Sequence, residues 1–164
     1  MSYDLYCYKS GTGIPDLDDL NAVTAEDEDK WSKKDRNAST KLAIVKALTA
    51  YDPTLQANDY TYGPVADLTV DIIEKETRKF HHISISYGDE EIALEIQVFP
   101  NHVHFNVPYG YPEEKMTTVF EHMKNYVRII RETAGYFVYD QQTGDNFDPT
   151  EREFNGLSKY LSIR

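Results

Sequence analysis

Between residues 80 and 108 apolar and polar side chains alternate with period two through three successive runs, 80–87, 91–99 and 102–108, joined by the turn-forming stretches "YGDE" and "FPNH". Successive side chains of a strand point to opposite faces of a sheet. The pattern therefore predicts an antiparallel meander whose apolar face must be covered and whose polar face meets water. Ile83, Ile85, Ile92, Leu94, Ile96, Val98, Val103, Phe105 and Val107 take the covered side. His82, Ser84, Ser86, Glu91, Glu95, Gln97, His102, His104 and Asn106 take the other.

The cover is legible too. In "PEEKMTTVFEHMKNYVRIIRETAG" (112–135) Pro112 suits a first turn, Glu113 and Glu114 suit the positive end of a helix dipole, and Gly135 suits a C-cap. Met116, Val119, Phe120, Met123, Val127 and Ile130 form one apolar stripe. A second helix is expected from Leu42, Val45, Leu48 and Tyr51, ended by Pro53, and a third over 68–80 with Thr69 as its cap. Strands are expected at 2–9, with Tyr3, Leu5 and Cys7 facing away from Asp4, Tyr6 and Tyr8, and at "YFVYD" (136–140). "QANDYTYGPV" and "QQTGDNFDP" read as loop and turn, and Phe154, Leu157, Tyr160 and Leu161 as a short closing segment. The expected fold class is α+β: a single domain over 1–164, an antiparallel β-meander with one face covered by helices, among them a long amphipathic C-terminal helix. Within it, 10–36 reads as an acidic, mobile surface segment, with Thr24 capping a short helix that carries Trp31.

Charge excludes several functions. With 28 acidic against 17 basic residues and a net charge of -11, the chain lacks the clustered cations that nucleic acid or an anionic membrane requires. Such a balance suits a basic protein partner, through steering, and equally suits plain solubility. The single cysteine, Cys7, permits no internal disulfide and is expected to pack as a small hydrophobe. The N-terminus lacks a leader pattern and no run is long enough to span a membrane, so a cytoplasmic location is expected.

If Ser86 pairs with Glu91, His82 stands opposite Glu95. If Phe99 pairs with His102, Gln97 stands opposite His104 and Glu95 opposite Asn106. His82, Glu95 and His104 would then converge, a donor set able to hold zinc or iron or to move protons in a small enzyme. The plainer reading is that these are polar residues on the solvent side of a sheet, with no metal, no cofactor and no catalytic residue. Asp140, Asp145 and Asp148 do not follow the calcium-loop pattern, and a turn with left-handed Gly144 is expected there. No phosphate loop, nucleophile elbow, Cys-x-x-Cys or His-Glu-x-x-His occurs. Partner-binding candidates are Asp16, Asp18, Asp19, Glu26, Asp27, Glu28 and Asp29 in the acidic segment, Glu95, His102 and His104 on the sheet, and Tyr109 and Tyr111 beyond it.

The strand "SYDLY" (Ser2 to Tyr6), the meander piece "HVHFNVPY" (102–109) and the helix-to-strand passage "GYFVYD" (Gly135 to Asp140) resemble a group of small bacterial proteins that look like immunity proteins of polymorphic-toxin or interbacterial competition systems. The resemblance implies a protein that binds and neutralises a cognate toxin, most simply by covering its active site. It carries no catalytic residue onto this chain.

Overall fold

The first strand, β1 (Ser2–Tyr8), lies inside the sheet rather than at its edge. The computed structural model describes residues 1–9, 17–27, 37–57, 69–70, 82–88 and 93–163. After β1 come α1 (Leu17–Asp27), α2 (Ala38–Tyr51), β2 (Gln56–Ala57), β3 (Ile83–Tyr87), β4 (Leu94–Val98), β5 (His102–Pro108), α3 (Glu113–Ala134), β6 (Phe137–Asp140), β7 (Asp145–Phe147) and α4 (Leu157–Ile163). The strands form one sheet in the order β2-β3-β4-β5-β1-β6-β7, and every neighbouring pair is antiparallel. The fold is α+β.

The alternation that predicts the meander also sets its faces. Ile83, Ile85, Leu94, Ile96, Val98, Val103, Phe105 and Val107 are fully buried, together with Tyr3, Leu5 and Cys7 of β1. Burial pushes the Cys7 thiol far above its ordinary pKa, which fits its packing as a hydrophobe. Helices α2 and α3 cover this face. Every residue of the predicted α3 stripe is buried, along with Tyr126, and each such side chain contributes about 1.5–3 kcal/mol. Pro112 is the N-cap of α3, and Gly135 ends the helix in the left-handed region, its N–H donating to the Arg131 carbonyl. In α2, Leu42, Val45 and Leu48 are buried as expected, but Ile44 replaces Tyr51, which is half exposed.

Several expectations need correction. The long helix is not C-terminal: β6, β7 and the short α4 follow it. "QQTGDNFDP" contains a strand, because Val138 pairs with Phe147 across a turn in which Gly144 has φ +73. Its three residues carry one buried apolar side chain, too little to show as period two. Gln56 and Ala57, read as loop, pair with Ser86 and Ile85 at the sheet edge. Thr24 lies inside α1, where its hydroxyl donates to the Leu20 carbonyl at 3.0 Å, and caps nothing. The helix expected over 68–80 lies outside the described residues apart from Thr69 and Val70, as do Trp31 and the strand positions Glu91 and Ile92.

At one end of the core Tyr3 is enclosed by Phe120, Phe154 and Tyr160. Its hydroxyl donates to the buried Asp140, whose carboxylate also accepts the N–H groups of Gln142 (3.0 Å) and Thr143 (3.3 Å) in the β6–β7 turn. Gly156 closes this corner: a Cβ there would stand 2.5 Å from both the Phe154 ring and the Tyr3 hydroxyl. Both neighbours are held by packing or hydrogen bonds, so neither can give way. Gly156→Ala is expected to lower unfolding free energy by about 1–3 kcal/mol, read as a lower midpoint in urea; an unchanged midpoint would show that the corner is loose.

Candidate functional site

The polar side of the sheet is organised in rows that run across the strands. Register places Ser86, Glu95, Asn106 and Asp4 in one row, and Ser84, Gln97, His104, Tyr6 and Tyr139 in the next. A third row holds Phe99, His102, Tyr8 and Phe137.

Hydrogen bonds knit the first two rows together. Glu95 Oε1 accepts from Ser84 Oγ at 3.4 Å and from Gln97 Nε2 at 3.2 Å. That contact turns the Gln97 amide oxygen to His104 Nδ1, 3.3 Å away. His104 Nε2 lies 2.7 Å from Asp4 Oδ1, which also accepts from Asn106 Nδ2 at 3.1 Å, while Ser2 Oγ donates to Asp4 Oδ2 at 2.8 Å. The Tyr6 ring lies parallel to His104 with centroids 4.6 Å apart. Burial alone would raise the Asp4 pKa, but the bonds from His104, Ser2 and Asn106 outweigh it and hold the carboxyl below its ordinary value.

Tyr8 and His102 of the third row and the Tyr139 end of the second are covered rather than open. Helix α1 crosses them, burying Leu20 against Tyr8 and Tyr139, with Val23 and Tyr6 at the margin. The C-terminal residue of α1, Asp27, accepts the Asn101 backbone N–H at 3.0 Å and its side-chain amide at 2.7 Å, and stands 2.5 Å from His102 Nδ1. An acidic residue at this end opposes the helix dipole. Tertiary hydrogen bonds, not helix electrostatics, explain why it is there.

The expected convergence of His82, Glu95 and His104 does not occur. The β4–β5 register is as expected, with Gln97 opposite His104 and Glu95 opposite Asn106. The β3–β4 register is four residues away from the expected one: Ser86 pairs with Glu95, and the connection runs from Gly88 to Ala93, whose N–H donates to the Tyr87 carbonyl. An even shift keeps every side chain on its face. It moves His82 beside the Phe99 ring, centroids 4.9 Å apart, four positions along β4 from Glu95 and so about 13 Å away. Among the described residues no group of three His, Cys, Asp or Glu could hold a metal ion.

The partner-binding candidates divide. Glu95 and His104 sit half-buried on the polar face, and Asp18 and Asp19 lie in the first turn of α1, the first exposed. Asp27 and His102 are 2% and 4% exposed and belong to the α1 anchor, not to a contact surface. Tyr109 stacks on Tyr160 and Tyr111 lies beneath Lys115, both packed against the main core. Asp16, Glu28, Asp29 and the Glu26 side chain lie outside the described residues. Gln97 stands opposite His104 as expected, but Asp4 and Tyr6 were missed as members of the site. Their polar-face positions were readable from alternation, but the pairing of β1 with β5, nearly a hundred residues apart, was not.

No family model, curated protein or solved structure matches the chain. No described helix is long and apolar enough to cross a membrane.

Two outcomes follow from this geometry. Asp27→Ala strands three polar atoms of Asn101 and His102, at roughly 1–3 kcal/mol for each buried group left unpaired. The variant is expected to lose amide-exchange protection across 17–27 while β4 and β5 keep theirs; retained protection in α1 would contradict the anchor. Because the folded pKa of Asp4 is depressed, its stabilisation is present above the unfolded value of 3.8 and is lost as pH falls through the lower folded value. The stability difference between wild type and Asp4→Asn should therefore shrink below about pH 4; a difference independent of pH in acid titrations would refute it.

Proposed function

We propose that this chain is an immunity-type protein of the bacterial cytoplasm, which binds a cognate basic toxin domain and neutralises it by occlusion. The observation that carries this reading is the open sheet face: a polar surface whose side chains are already held in place by one another, on a chain with a net charge of -11. A surface ordered before binding loses little conformational entropy on association. Negative charge accelerates encounter with a cationic partner and disfavours anionic ones. The resemblance carried by "SYDLY", "HVHFNVPY" and "GYFVYD" points the same way. Neutralisation of this kind asks no chemistry of the chain itself.

The test is co-expression with the product of the adjacent reading frame, which the proposal expects to end in a small basic domain. Growth arrest by that domain alone, relieved when this protein is present, is the expected result. Unrelieved arrest with the protein folded and abundant, or an adjacent frame whose product is harmless, would overturn the proposal.

A further inference from the structure

Among the described residues, cations gather on the helix side of the sheet. Among the described residues, every Lys and Arg other than Lys9 belongs to α2, α3 or α4, or is Arg152, which lies over the Phe147 ring. On that side Lys124 faces Glu121 and Glu153, Arg128 faces Glu153, and Arg131 faces Asp148. The open face instead carries Asp4 and Glu95, two strands apart in one row and so about 10 Å apart at the backbone.

These two carboxylates are not equivalent. Asp4 is already met by His104, Ser2 and Asn106. Glu95 receives only the neutral donors Ser84 and Gln97, both on Oε1, and among the described residues no cation forms an ion pair with it. Two hydrogen bonds fix the plane of this half-buried group while Oε2 keeps its acceptor positions. A carboxylate of fixed plane matches the planar fork of a guanidinium better than a compact ammonium. Partial burial also strengthens the attraction relative to a fully solvated pair.

We propose that the open sheet face is the docking surface for the toxin domain, with an arginine of that domain seated on Glu95 and with Asp18 and Asp19 of α1 forming an acidic rim. This rests on the immunity reading above. The occupant is a folded basic polypeptide, chosen by charge: among the described residues the helix side carries Lys124, Arg128 and Arg131 beside acids of their own, whereas Glu95 on the polar face meets no cation. Centre and rim act differently. The seated pair governs how long the complex lasts, and the rim governs how fast it forms.

The experiment measures association and dissociation of the purified toxic domain from the adjacent reading frame, using Glu95→Gln, the double variant Asp18→Asn with Asp19→Asn, and Glu121→Gln on α3 as a control of equal charge change. Glu95→Gln keeps an acceptor for Ser84 and Gln97, so the fold is retained, which circular dichroism confirms. It is expected to raise the dissociation constant roughly tenfold or more, mainly through dissociation. The rim variant is expected to slow association several-fold at low salt, and Glu121→Gln to change neither rate by more than about twofold. Unchanged affinity in Glu95→Gln, or equal losses in Glu95→Gln and Glu121→Gln, would overturn the docking face while wild-type protection kept the immunity reading intact. If wild type neither binds nor protects, the immunity reading fails and this inference goes with it.

Discussion

The antiparallel pairing of β1 between β5 and β6 is the constraint on which the rest of the structure depends. It closes the core by bringing Tyr3, Leu5 and Cys7, all fully buried, against the same helices that cover the meander. In the same step it sets Asp4 beside Asn106 and Tyr6 beside His104 on the opposite face. Core and polar surface are thus two sides of one register. A slip of one residue would exchange them, putting Asp4 and Tyr6 against α3 and Leu5 into water, and the burial of Tyr3, Leu5 and Cys7 forbids it.

Helix α1 is held differently. Its apolar contact with the sheet is the burial of Leu20 against Tyr8 and Tyr139, with Val23 and Tyr6 at the margin. What selects its place is Asp27, whose carboxylate ties the last turn of α1 to the backbone and side chain of Asn101 and to His102. The helix packs on Tyr8 and Tyr139 and ties down His102, and none of the described elements is seen packed over Glu95 and Asp4. Apolar surface is shielded and charge remains available, an arrangement suited to recognition by electrostatics rather than by a greasy patch.

Much of this was written in local pattern and some was not. Period two in 83–107 and the stripe from Met116 to Ile130 depend on neighbours a few residues apart, so the faces of β3, β4 and β5 and the buried side of α3 were readable. The β4–β5 pairs followed from a two-residue turn. The β3–β4 pairs did not, because the connection from Gly88 to Ala93 is longer than its turn residues suggest, and the His82 contact with Glu95 fell with that register. The strand order is a long-range fact: nothing within residues 2–8 announces a partner at 102–108, so Asp4 was never placed beside His104. Asp27 carried a readable signal, a carboxylate at the unfavourable end of a helix, but that helix was expected to continue beyond it toward Trp31.

The central claim is that the ordered polar face of the sheet is the face that meets the partner. Side-chain amide resonances of Gln97 and Asn106 on that face, and of Asn125 on α3, report on the two sides of the protein in a single spectrum. On titration with the proposed toxin partner, Gln97 and Asn106 are predicted to shift and broaden while Asn125 stays in place. Movement of Asn125 with Gln97 and Asn106 unperturbed would contradict the account.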